Sequence, residues 1–288
     1  MPEIIHAPSH PFKALGFKHR VGEPQFKHLF QGLPYLPNTN TPNPNNYLFS
    51  LALQKSFYSP IHKHNFEQFR YAHSGSFSIS PSLTIEEGEL CYHPEGVEYG
   101  PQNDVEDGVE HILLILQFGG TSGQGYLAYE ELLGVQKELA EKGRFEGGRY
   151  FADGKEKEGV DGFQACWETV NGRDLVYPAP RYAGPVLVKP QNFGWVRKGE
   201  GVSKKVLGVF TERETRAEMW KVEDGGRFEA KAAEDALQLL FVTKGSGQVD
   251  GEELDRESAV RLVPGEEAVI SSNRGMEILK LVIPEVPH

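Results

Sequence analysis

Cysteine is almost missing from this chain of 288 residues: Cys91 and Cys166 stand alone, far apart and in no paired spacing. Two such thiols build neither a disulfide framework nor a thiolate zinc site. Basic charge is short as well, with 30 Lys and Arg against 41 Asp and Glu, a formal charge of −11. A nucleic-acid binder would carry a basic stripe for phosphates, and a lipid-anchored surface a basic patch, so neither partner is expected. Long apolar runs are absent too. The longest aliphatic stretch is Ile112 to Leu116, against the roughly 20 residues that span a bilayer. The start, MPEIIHAPSHPFK, lacks the charged-then-apolar pattern of a secretory signal. These absences predict a soluble, cytoplasmic protein.

What is present suits a folded chain of one large or two ordinary domains. Hydrophobic residues make up 39% and aromatics 11%, enough for a core. The 32 Gly and 19 Pro lean toward many short strands and turns. Residues 1–46 read as an irregular arm, because Pro34, Pro37, Pro42 and Pro44 stand among Asn and Thr. From Tyr47 come YLFSLALQ, FEQFRYAH, FSIS, ELCYH and EHILLILQF, each of strand length and bounded by Gly, Pro, Ser or Asn. Two helices then interrupt. Tyr129, Leu132, Leu133, Leu139 and Ala140 form one apolar stripe; Phe163, Cys166, Trp167 and Val170 form a second. Asp161 precedes the second stripe as an N-cap and Gly172 follows it as a stop. Between the helices RFEGGRYFADGKEKEGV reads as a solvated loop, and Pro178, Pro180, Pro185 and Pro190 mark a stiff linker. Strands return as KKVLGVFT, TRAEMWKV, ALQLLFVT, SAVRLV and MEILKLVI.

Strands, helices, then strands again call for a search for a repeat. One runs at an offset of 170 residues: Gln68 maps to Gln238, Gly75 to Gly245, Pro94 to Pro264 and Asn103 to Asn273. The strand ending at Phe118 maps onto the final LKLVIPEV. Duplication of one β-domain is the expectation.

His62-Lys63-His64 is the sharpest chemical signal. Residues two apart on a strand share a face, so both imidazoles can converge on one point, a pairing suited to a borderline divalent metal. Gln68, Gly75, Gly88, Pro94, Gly96 and Asn103 follow at fixed intervals. Here a family resemblance appears. HKHNFEQFRYAHSG resembles the first cupin motif, H-x-H-x(3,4)-E-x6-G, and GELCYHPEGVEYGPQN the second, G-x5-P-x-G-x2-H-x3-N. With the repeat, the whole resembles a bicupin of the RmlC-like type. The resemblance implies a mainly all-β chain of two jelly-roll barrels with a short helical insert. On it, residues 47–122 form the N-terminal barrel, 123–185 the insert and linker, and 186–288 a degenerate C-terminal barrel.

The family's metal is held by two first-motif histidines, a Glu and a second-motif histidine. His62 and His64 match, whereas the Glu position is Gln68 and the last is Tyr99. An amide for a carboxylate removes charge from the site, and a phenol binds a metal only as tyrosinate. In the second copy the corresponding positions are Ala232, Glu234 and Val269, so no metal is expected there; no histidine lies between His111 and His288. Three readings stand. The leading one places one divalent metal (Fe, Mn, Ni or Zn) on His62, His64, Gln68 and Tyr99, for an oxygenase-like reaction on an aromatic or enolisable substrate. A second is a metal-free isomerase, cyclase or lyase using His62, His64 and Tyr99 as acid and base. The third is a non-catalytic binding or storage protein.

Arg70 shares a strand face with Gln68 and Ala72, hence the lumen. It either anchors a carboxylate or phenolate of the ligand, or pairs with an acid such as Glu67 or Glu98. Phe66 belongs to the aromatic residues around this window, with Phe57, Tyr58, Phe69, Tyr71 and Tyr92. Those facing the lumen give an apolar pocket for a small molecule. His73 and His93 are expected near strand ends and His111 at a strand start; His6, His10, His19 and His28 show no ligand pattern. A homodimer is what the resemblance implies for assembly.

Overall fold

The computed structural model of the chain describes residues 1–18, 21–103, 109–127, 129–155 and 157–287; His19 and His288 lie outside them. Strands take 47% of the chain and helices 10%, an all-β jelly-roll architecture. The chain divides into two compact units: Phe12–Leu187, and Met1–Pro11 with Val188–His288.

The main sheet of the first unit runs, neighbour by neighbour, Leu90–His93, Glu67–Ser74, His111–Phe118, Tyr47–Gln54, Gln25–Gln31 and Lys13–Ala14. That of the second runs Glu3–His6, Ser258–Leu262, Ala236–Gly245, Met276–Pro284, Arg216–Val222, Val202–Val209 and Val196–Gly199. From Leu90–His93 and from Ser258–Leu262 onward, the five strands that follow the repeat keep one order. The central strands are near-continuous apolar runs because both faces are covered; Tyr47–Ala52 is buried without a break.

Pairing shows where the ungapped repeat slips. Gln68 stands opposite His93 and Gln117, and Gln238 opposite Leu262 and Val282. The offset therefore shortens by one residue at the second strand and by five at the last. Gly96 N donates to His64 O at 2.8 Å, and Gly265 N to Ala233 O at 3.2 Å. Both glycines have positive φ, +72° and +78°, and are thus the true counterparts, whereas Pro264 is one residue out of step with Pro94. The backbone bridge between His62 and Tyr99 is answered by the Ala230–Ala268 pair. Ala232, Glu234 and Val269 are displaced from those positions.

Three further expectations need correction. The arm is not irregular: Glu3–His6 pairs with Ser258–Leu262, and Gln25–Gln31 pairs with Tyr47–Gln54 and buries Phe26, Leu29 and Phe30. Its prolines cluster after Gln31, while a bulge between His28 and Phe30 hides the strand's alternation. The loop of residues 144–160 contains a hairpin, Gly143–Glu146 with Arg149–Ala152, turning at Gly147 and Gly148, both at positive φ. The glycine pair is a hairpin signal that the surrounding charge obscured. In the first helix, α1 (Tyr129–Ala140), Val135 and Gln136 are buried while Leu133 is half-buried and Ala140 exposed. The second, α2 (Gly162–Asn171), follows its stripe. Asp161 Oδ1 accepts from Phe163 N and Gln164 N at 2.9 and 3.1 Å, and Gly172 closes the helix at φ +62°. Both helices join the first unit's apolar core.

Candidate functional site

His62 and His64 do not lie on a regular strand, as their spacing suggests, but on a segment held to the second motif by single backbone contacts. His62 N donates to Tyr99 O at 3.1 Å and Tyr99 N to His62 O at 3.0 Å. Gly96 secures the other end, and only glycine fits: a Cβ there would stand 2.2 Å from Pro178 O. The segment brings the rings together, with centroids 4.8 Å apart between His62 and His64 and 4.5 Å between His62 and Tyr99. His62 Nδ1 lies 2.7 Å from Pro60 O. A carbonyl only accepts, so Nδ1 carries a proton and Nε2 is the basic nitrogen when the ring is neutral. His64 stacks on Phe66 at 4.3 Å.

Gln68, Arg70, Tyr99 and His64 form one polar chain. Arg70 Nε donates to Gln68 Oε1 at 3.0 Å, and its Nη2 to Tyr99 Oη at 3.0 Å. Tyr99 Oη in turn lies 3.4 Å from His64 Nδ1. Because a guanidinium only donates, Gln68 must turn its oxygen toward it, which aims the amide nitrogen the other way. That Nε2 is buried and without a hydrogen bond. Neither expected acid meets Arg70. Glu67 faces the opposite side and accepts from Thr121 N and Oγ1 at 3.0 and 2.8 Å, its pKa raised by burial. Glu98 pairs with Lys63 at 3.8 Å. Among the described residues, Arg70 has no carboxylate partner.

A cavity of about 700 Å³, open mouth included, lies against these groups. His62, His64, Gln68 and Arg70 face it, and so do Phe57 and Phe66. Tyr99 does not line it: the phenol stands behind, 5% exposed, and positions Arg70 and His64. Phe69 and Tyr92 pack together on the sheet's other side. His93 is buried behind Tyr99, at 4.6 Å between rings. Its pKa is held well below the usual histidine value by burial, then by the Arg70 and His62 charges. His111 caps a turn, accepting from Ser76 N at 3.2 Å.

Several lining residues escaped the sequence. Tyr129 and Phe163 come from the two helices, where each counts as one more apolar stripe member. Gln117 was legible in principle, as a polar residue in HILLILQF on the face of Leu113 and Ile115. It accepts from Tyr126 Oη at 3.0 Å and sits opposite Gln68.

The donor set does not fit a divalent metal. Two imidazoles converge, but the oxygens at the other two ligand positions, Gln68 Oε1 and Tyr99 Oη, are both occupied by one guanidinium. A fixed positive charge inside the ligand shell opposes a second cation. Among the described residues, no group of three His, Cys, Asp or Glu is placed so that it could hold a metal ion.

No family model matches the chain, and no curated protein does. Solved structures do. A candidate dioxygenase from Nostoc punctiforme is similar with TM-score 0.66 and 10% identity, over 99% of this chain and 84% of that one. The pirin YhhW of Escherichia coli, solved with nickel(II), is similar with TM-score 0.55 and 11% identity, over 99% and 100%. A variant of salicylate 1,2-dioxygenase from Pseudoaminobacter salicylatoxidans gives TM-score 0.52 at 11% identity, over 90% and 76%. Among the described residues, no helix is long and apolar enough to cross a membrane. Strand order, motif residues and these likenesses together give this chain the cupin fold.

Proposed function

We propose that the first barrel takes a small, flat organic anion, a carboxylate, phenolate or enolate, and moves a proton on it without a metal. The observation that carries this reading is the guanidinium of Arg70, held between Gln68 and Tyr99 and unmatched by any carboxylate among the described residues. A half-buried cation without a counter-ion is costly, and an anionic ligand supplies the missing charge. The buried Nε2 of Gln68 offers a second donor to the same group.

The chemistry then divides among few residues. Arg70 and Gln68 stabilise negative charge that develops on the ligand oxygen. His62, its ring fixed through Nδ1, takes a proton at Nε2 from the carbon next to the carbonyl and returns it elsewhere, an isomerisation, cyclisation or elimination. Tyr99 is a positioning residue. Phe66 and Phe163 supply the apolar wall for the ring. Binding without turnover uses the same anchor and differs only in what His62→Ala does.

Isothermal titration with benzoate and salicylate as probes, on protein purified without a histidine tag, tests the reading. Arg70→Leu is expected to weaken binding about 30- to 1,000-fold, the equivalent of about 2–4 kcal/mol. Elemental analysis of the same sample is the second arm. Stoichiometric iron, manganese, nickel or zinc, lost in His62→Ala, would overturn the metal-free reading and restore the oxygenase one.

A further inference from the structure

The second barrel carries a lumen cation of its own. Lys280 lies mid-strand in Met276–Pro284, 6% exposed. It stands opposite Leu240 on one side and Glu218 on the other. Paired residues share a face, so Lys280 faces the interior with Leu240 and Ile278, members of the second unit's core. In the first barrel the corresponding cross-strand pair is Arg70 opposite Ile115. The cation has changed strands, from Arg70 to the position facing Leu240, but each barrel keeps one at this tier.

Glu218 attracts it but is shared with two further cations. Its Oε1 takes Lys204 Nζ at 3.1 Å and Arg216 Nε at 3.7 Å, and its Oε2 takes Trp220 Nε1 at 2.9 Å. Both oxygens are engaged. Arg216 reaches a second acid, Glu214, at 3.3 Å on the exposed side. Lys280 makes no hydrogen bond or ion pair among the described residues, and its Nζ stands 5.8 Å from the Trp220 ring. Burial lowers its pKa to about 8, against the attraction of Glu218. The tier is not sealed: the Lys204 and Arg216 side chains are 20% and 30% exposed. Trp220 stacks on Phe228 at 4.4 Å and forms an apolar border to it.

We propose that the second barrel binds a small-molecule oxyanion, a carboxylate or phosphate group, on Lys280, with Lys204 and Trp220 flanking it. The site is separate from the first barrel's and does not depend on its chemistry.

Competitive acetylation of the full chain, read peptide by peptide in a mass spectrometer, tests the site locally. Inorganic phosphate, acetate and benzoate are the probes, which separates phosphate from carboxylate preference. At least one probe is expected to slow acetylation of Lys280 several-fold while exposed lysines such as Lys244 are unaffected. Protection should persist in Arg70→Leu, which separates this site from the first. Lys280→Met should weaken binding of the protecting probe, followed by Trp220 fluorescence, at least tenfold, and Lys280→Arg should restore part of it. Equal acetylation with and without every probe would overturn the proposal, and so would a Lys280 that never reacts, since an amine closed to water is no ligand site. Protection lost in Arg70→Leu would assign the anion to the first barrel instead.

Discussion

At the tier where Gln68 and Gln238 face their lumens, the first barrel surrounds its glutamine with His93, Gln117 and Arg70. The second surrounds its own with Leu262 and Val282 opposite and Leu240 two residues on. The strand order around them is unchanged. What the barrels share is what a backbone demands: strands buried on both faces, and glycines where the chain turns with positive φ. What they do not share is polar, and the fold survives either filling. The duplicated fold therefore gives no warrant for duplicated chemistry, and each lumen has to be judged by its own side chains.

The comparison is broken most strongly at the α-helices, which the first unit has and the second lacks among its described residues. Trp167 of α2 is 1% exposed and sits in the first unit's core. Trp167→Ala should cost about 3–5 kcal/mol, seen as an early loss of the first unit in urea unfolding. If the helices were an appendage, the main transition would keep its midpoint.

Arg70→Leu sharpens the comparison, because it installs the second barrel's residue in the first. Probe binding falls, while stability should hold or rise, since a half-buried charge without a carboxylate partner among the described residues is removed. A large fall in the unfolding midpoint would show instead that Gln68 and Tyr99 depend on the guanidinium for folding.

Gly75 and Gly245 test what both barrels hold in common. They sit at φ +76° and +73°. An added Cβ would come 2.1 Å from His111 Nδ1 in the first and 2.0 Å from Gly275 O in the second. Each change to Ala should cost about 1–3 kcal/mol, and Gly245→Ala more, because an imidazole can swing aside and a backbone carbonyl cannot. Denaturation midpoints of the two variants decide the order.

The locally determined features were the legible ones. Strand segments, the α2 stripe and its caps, the H-x-H pair and Gly75 follow from local pattern, since alternation and turn chemistry act over a few residues. The repeat was visible but slipped, because bulges and loop lengths shift register without altering the strands' apolar character. The arm's strands went unread because their partners lie far along the chain: Glu3–His6 finds its hydrogen bonds at Ser258–Leu262. At the site the residue types were legible and their partnerships were not. Alternation alone sets Gln68 beside Arg70 and Glu67 on the opposite face. That Arg70 would reach Tyr99 rather than Glu98, and that Tyr99 would stand behind the cavity, depends on how the two motifs pack together and is not written in either.

The smallest expected effect concerns how α2 is held in place. Asp161 Oδ1 accepts from two otherwise orphaned amides, Phe163 N and Gln164 N. Asp161→Ala leaves both to water and removes a negative charge from the helix N-terminus, which should cost about 1 kcal/mol. Asp161→Asn keeps an oxygen acceptor and should recover most of the loss, since the two hydrogen bonds outweigh the charge of a half-buried carboxylate. Phe163, the first capped amide, also supplies a wall of the cavity. Asp161→Ala is therefore expected to loosen benzoate binding by a small factor while leaving protection of Lys280 unchanged. Equal losses at both sites would mean that the cap stabilises the whole chain and not the first barrel's cavity.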